Sequence, residues 1–185
     1  MSNRYITSHF PLISILLYSL AFAIFSQGFI LTQLVDLGIY NGMLEFISES
    51  GIKITILFLM QLFFFMVFSA LKLIADTMIE LSMLFFSKDE EGNELNKVRA
   101  GSWIFLASSI IALFLAQYLL VLVVVFVIAT LAYFIFLVYK ISDTLTLAGL
   151  IGFIFFQIIF WSVFILAIVL AMVKLYNSFM ASLPF

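Results

Sequence analysis

Lys72, Asp76 and Glu80 follow one another at four-residue spacing in a stretch, residues 54–86, that is otherwise mostly apolar. On a helix this spacing lays the three side chains along one face. Two carboxylates beside an ammonium group in a low-dielectric setting have a short list of chemistries. They bind a cation, relay protons or pair with a partner's charge, and the lysine neutralises its neighbour when nothing is bound. At about 100° per residue, Gln61, Ser69 and Ser87 fall in the same sector as the charges. The result is a thin polar stripe on an oily rod. A helix lying on a water surface has a broad polar face, so the stripe suits a helix among lipid or other helices, turned toward a bundle interior or a wet crevice. In the competing reading the helix leaves the bilayer at Lys72 and the charges are solvated. Residues 54–71 make about 27 Å of helix against about 30 Å of hydrocarbon.

The element carrying the stripe belongs to a membrane protein. Hydrophobic residues make up 66% of the 185, charged residues 10%, and mean hydropathy is +1.31, whereas about a quarter of the residues in soluble domains are charged. The expected fold is an all-α, polytopic transmembrane bundle forming one domain, residues 1–185. A net charge of −2 provides no basic field for nucleic acid. With no cysteine and one histidine, His9, the chain offers no disulfide, thiolate nucleophile or histidine metal cluster. No cofactor or metal is expected, and the partners are the lipid bilayer and either further copies of the chain or another membrane protein.

Five spans are expected, at about 10–35, 53–86, 102–118, 120–139 and 146–174, with a cytoplasmic loop at 87–101. Ser8 is a candidate cap and Pro11 a first-turn residue for the first span. A cleaved signal ending at Ala21-Phe22-Ala23 is the competing reading, disfavoured because the apolar run continues past it. Asn41-Gly42 signals a turn, and Met43, Leu44, Phe46 and Ile47 interleave with polar residues as in a short surface helix. The second long helix is expected to begin after Gly51. Between residues 103 and 139 the only ionisable side chains are tyrosines, and a straight helix of that length would reach about 55 Å. A hairpin reversing near Gln117 and Tyr118 fits the bilayer better, although no Gly or Pro marks the reversal; one long helix gives the alternative of four spans.

Ser108, Ala112 and Ala116, and then Ala148 and Gly152, have the small-residue spacing that lets helices approach closely. Ala167 and Ala171 repeat it, and Gln157 and Ser162 are candidate interhelical hydrogen-bonding groups. Arg4, Lys88, Lys97, Arg99 and Lys140 fall on the side of the N-terminus with five spans, and Lys53 and Lys174 on the other. The excess of positive charge assigns the N-terminus to the cytoplasm. No internal repeat is visible.

Residues 5–25, YITSHFPLISILLYSLAFAIF, and 70–93, ALKLIADTMIELSMLFFSKDEEGN, resemble the YufK-like family of small bacterial membrane proteins, and the likeness extends to the KLYNSFMASLPF end. The resemblance implies a multi-pass protein of the bacterial inner membrane. It supplies no catalytic or binding residues.

Two functions are therefore carried forward. One is a small transporter or channel component whose polar path is Gln61, Ser69, Lys72, Asp76 and Glu80. The other is a non-catalytic accessory or scaffold subunit of a larger membrane complex. Enzymatic activity is disfavoured, because Ser108 and Ser109 share their span with no carboxylate and no metal-ligand set is present.

Overall fold

Pro11 lies in the first turn of α1 (Phe10–Asp36), where its missing amide proton leaves no hydrogen bond unmade. In the computed structural model of the chain, residues 9–87 and 98–182 are described, apart from the side chains of Arg99 and Ser182. Ser8, with the cap expected of it, and most of the 87–101 loop lie outside the described residues.

α1 ends at Gly38, whose φ of 70° is the left-handed conformation that terminates helices and that glycine adopts without strain. Its amide donates to Val35 O at 2.9 Å, and the chain reverses into α2 (Ile39–Leu44). The Asn41-Gly42 pair is thus inside a helix, and the turn is made four residues earlier. α3 (Glu49–Phe86) also starts earlier than expected. Ser48 caps it, its Oγ accepting from the Gly51 amide at 3.2 Å, so Gly51 lies within the first turn.

The apolar run after residue 102 breaks into α4 (Ser102–Phe114) and α5 (Leu119–Ile141). The turn between them is closed by Leu115 N to Ala112 O at 3.1 Å and Tyr118 N to Leu115 O at 3.2 Å. Short 3-10 segments, Arg99–Gly101 and Ser142–Thr144, precede α4 and follow α5. The last helix, α6 (Leu147–Ser182), runs beyond residue 174. The described residues contain no β-strand, only an isolated bridge between Ser87 and Leu145. Among the described residues, four helices are long and apolar enough to cross a membrane, namely Phe10–Asp36, Glu49–Phe86, Leu119–Thr144 and Leu147–Ala181. Ser102–Phe114 is shorter, 13 residues or about 20 Å.

Ring and hydrogen-bond contacts fix the directions. Gly101 lies against Tyr133 and Phe136, and the Phe105 ring is tilted against Tyr133 with centroids 5.3 Å apart, so α4 and α5 form an antiparallel hairpin. Phe10 meets Trp103 at 4.4 Å and Tyr18 meets Ser108, so α1 runs parallel to α4. Gln27 meets Lys53 while Phe22 meets Phe64 and Phe68, so α1 and α3 are antiparallel. The first core gathers Tyr18, Ala21, Phe22, Phe68, Ala112, Ala116 and Leu122 from these four helices. A second core lies further along α3, where Ile79 and Met83 meet Val98, Leu137, Ile141 and Phe153. α6 joins only this second core, and every residue of 165–181 is exposed.

Candidate functional site

The five stripe residues do not converge. Gln61 turns into the α1–α3 contact, where Nε2 donates to Ser19 Oγ at 2.9 Å and Leu16 O at 3.3 Å. Its Oε1 is buried and receives no hydrogen bond from any described residue. Ser69 is half-buried. Within one turn of Ser69 the chemistry changes to charge: Lys72 Nζ donates to both carboxylate oxygens of Asp76, with the two side chains 37% and 46% exposed. Glu80, one turn further on, is exposed. The stripe therefore begins inside the bundle at Gln61 and ends on its outer flank at Glu80.

The depth of the ion pair follows from its surroundings. Asp76 lies within electrostatic reach of Tyr133 on α5. Lys140, which ends the apolar part of α5, is seven residues and about 10 Å of helix beyond Tyr133. Along α3, Leu73 between the two charges is 68% exposed, and Leu84 and Phe85, about two turns beyond Asp76, are 75% and 62% exposed. On α6, Ile151 and Phe155 are likewise exposed at the level of the second core. Side chains of this kind face acyl chains, not water. A lone ion in that band would cost about 2.5–3.5 kcal/mol at its centre, and the four-residue spacing lets Lys72 and Asp76 neutralise each other. The reading in which α3 leaves the bilayer at Lys72 would put these exposed leucines and phenylalanines in water.

Two grooves, about 330 and 320 Å³, open on the bundle surface, and neither is lined by a stripe residue. No cluster of three or more metal-ligating side chains occurs among the described residues.

The best-satisfied polar cluster lies elsewhere. Gln157, buried on α6, donates from Nε2 to Ser82 Oγ at 2.9 Å and to Met78 O at 3.1 Å, and its Oε1 accepts from Trp161 Nε1 at 3.2 Å. Sequence reasoning found Gln157 but not its partners. Ser82 carried a signal, being a lone hydroxyl between apolar residues on the face opposite the charges. Ser162, the other candidate, is exposed. Tyr18 was not foreseen at all: its hydroxyl donates to Ser108 Oγ at 2.8 Å, and Ser108 in turn bonds Ile104 O at 2.7 Å.

Among the small residues, Ala112 and Ala116 are buried against α1 and Ser108 is half-buried. Ala148 is exposed, which corrects its place in the α6 packing face. The close approach belongs to Gly149 and Gly152, where a Cβ would come within 2.7 Å of Phe86 O and 2.5 Å of the Phe86 ring, respectively. Ala167 and Ala171 lie in the exposed half of α6.

Comparison with known proteins agrees with the likeness carried by residues 5–25 and 70–93. The family described as "Family of unknown function (DUF5366)" matches residues 27–184. The "Uncharacterized membrane protein YufK" of Bacillus subtilis (strain 168) is 48% identical over 184 residues, covering 100% of both chains. No solved structure matches.

Proposed function

The chain belongs to the DUF5366 family of membrane proteins of unknown function, and for it we propose a non-catalytic accessory role in which the α3 flank bearing Lys72, Asp76 and Glu80 docks another membrane-embedded helix. That helix belongs to a second copy of the chain or to a larger complex. One observation carries the reading: the charged pair is half-exposed on a flank of α3 that also exposes Leu73, Leu84 and Phe85, with Glu80 exposed beside it. Polar groups left facing hydrocarbon are satisfied by a neighbouring helix that brings polar groups of its own. On this reading the protein sits in the bacterial inner membrane with its N-terminus in the cytoplasm. This orientation is supported by the excess of Lys and Arg in the segments leaving the end of the bundle that holds Phe10, Val98 and Lys140.

The second reading, a small transporter or channel component, draws on the same ion pair because charges inside a membrane mark ion and proton paths. Against it, Lys72 already neutralises Asp76, and the stripe faces outward along the part where it carries charge.

One experiment separates the two. Single cysteines at Leu73 and Glu80, treated in native membranes with a short bifunctional reagent, yield a discrete cross-linked species if the flank is covered. Asp76→Asn abolishes that species while leaving ion and proton flux in liposomes at background. Flux by the purified protein that disappears in Asp76→Asn and Glu80→Gln, with no cross-link, would establish the transporter reading instead.

A further inference from the structure

α1 outruns the α4–α5 hairpin. Ala116 and Gln117, at the hairpin tip, line one groove with α1 residues from Ile24 to Thr32. Residues 33–36, about 6 Å of helix, extend past the tip toward α2 and the start of α3. Both open grooves lie on the C-terminal half of α1. The first, about 330 Å³, is bounded by Leu31, Thr32 and Val35 of α1, Tyr40 of α2, and Glu49 and Lys53 of α3. The second, about 320 Å³, runs from Thr32 past Phe29, Gly28 and Phe25 to the hairpin tip. Thr32 lines both, so the two abut at that residue and a ligand lying across it would span them. From Val35 to Ile24 they follow about 16 Å of α1, close to the length of an extended acyl chain.

The polarity of this two-groove path is divided by level. At the α2 end it carries an ammonium and a carboxylate, Lys53 and Glu49, paired at 2.5 Å with side chains 46% and 63% exposed. Both thus remain open to a ligand, and an exposed pair of this kind is weak enough to exchange partners. Tyr40 is close enough to Lys53 to interact with its charge. Below Thr32 the lining is apolar until Gln117, and the Thr32 hydroxyl is turned back onto Gly28 O at 3.1 Å. A Cβ placed on Gly28 would meet nothing within 4 Å, so the floor of the groove is open there. The charged end stands where α1 stops at Asp36 and the polar connection begins, the level of a membrane–water boundary.

We propose that the two abutting grooves hold one phospholipid with a zwitterionic headgroup. Its phosphate rests on Lys53 beside Tyr40, its ammonium on Glu49, and one acyl chain lies along Thr32, Gly28 and Phe25 to the hairpin tip. The choice of headgroup follows from sign. The charged lining of the groove is one acid and one base, Glu49 and Lys53, with no excess of positive charge. An anionic headgroup offers nothing to Glu49, whereas an ethanolamine headgroup satisfies both members of the pair.

The test uses the full-length protein in mild detergent, offered equimolar phosphatidylethanolamine and phosphatidylglycerol with identical chains, with bound lipid counted by native mass spectrometry. The wild type is expected to carry one phosphatidylethanolamine in at least tenfold preference. Glu49→Gln brings that ratio close to one. Gly28→Leu blocks the chain path and removes the adduct for both lipids, while melting at or above the wild-type temperature because the new side chain enters open space. Equal binding of both lipids to the wild type as a broad distribution of adducts overturns the proposal. So does retention of the single preferred lipid by a folded Gly28→Leu protein.

Discussion

Gln157 on α6 hands both of its amide protons to the neighbouring turn of α3, to Ser82 Oγ at 2.9 Å and Met78 O at 3.1 Å, while its own carbonyl is taken by Trp161. Gln61, by contrast, gives its protons to Ser19 and Leu16 and leaves its carbonyl buried and unmet by any described residue. The same side chain in the same helical bundle therefore carries opposite expectations. Gln157→Leu forfeits three hydrogen bonds averaging about 0.6 kcal/mol in a membrane protein and strands an indole N–H, a loss of about 2 kcal/mol in all. Gln61→Leu forfeits two such bonds but removes a buried orphan acceptor, itself worth about 1–3 kcal/mol, and is expected to match or exceed wild-type stability. Reversible unfolding in mixed micelles measures both.

Phe86 decides what the glycines of α6 tolerate. Gly149→Ala drives a methyl to within 2.7 Å of Phe86 O, a backbone atom of α3 that cannot turn aside. Gly152→Ala meets the Phe86 ring, which can rotate. Alanine gains about 1 kcal/mol in helix propensity at either position, against an overpacking cost of about 1–3 kcal/mol. Gly149→Ala is expected to be the more destabilising, by about 1 kcal/mol over Gly152→Ala, and to raise proteolytic access to α6. Melting temperatures of the two variants side by side decide the matter.

Lys72 and Asp76 are expected to behave as a unit. Asp76→Leu alone leaves an ammonium in the apolar band and should cost about 2 kcal/mol, reduced from the mid-bilayer figure by the pair's partial exposure. Lys72→Met with Asp76→Leu should return stability to within about 0.5 kcal/mol of wild type, because the isolated charge rather than the missing attraction is what hurts. A double-mutant cycle of unfolding free energies reads the coupling directly. If the two losses simply add, the pair is not embedded in hydrocarbon.

Topology is checked with cysteines, since the native chain has none. Lys140→Cys should be labelled from the side that carries the N-terminus, and Leu119→Cys, at the start of α5 beyond the hairpin turn, from the opposite side if the hairpin crosses the bilayer. Labelling of Leu119→Cys from neither side would make the hairpin re-entrant, in keeping with the 13-residue length of α4.

The sequence reveals most where bilayer thickness is the constraint and least where both alternatives are apolar. The break between Phe114 and Leu119 was readable from length alone, with no glycine or proline to mark it. The reversal after α1 was assigned to Asn41-Gly42, a strong hairpin signal in soluble proteins, whereas the left-handed residue is Gly38. Spacing singled out Ala148 and Gly152, but Gly149 carries the tighter backbone contact, because a one-residue rotation of α6 changes nothing in its hydropathy. For the same reason the exposed half of α6, residues 165–181, was invisible: in lipid, an outward leucine and an inward leucine cost nearly the same, so periodicity no longer reports which face is covered. The charged stripe was legible as a pattern. Its division into an inner amide, a self-neutralised pair and an outward carboxylate needed the neighbouring helices.

The link through Gln157 also sets a timetable for biogenesis. Ser82 bonds its own helix at Met78 O, 2.6 Å away, so α3 can wait in the bilayer with that hydroxyl already quenched. α6 is translated after α1 to α5, and its Gln157 amide is the group that arrives in search of partners. The docking site on α3 is complete before the ribosome delivers the helix that needs it, so α6 can be accepted in one step, without rearranging the helices already inserted.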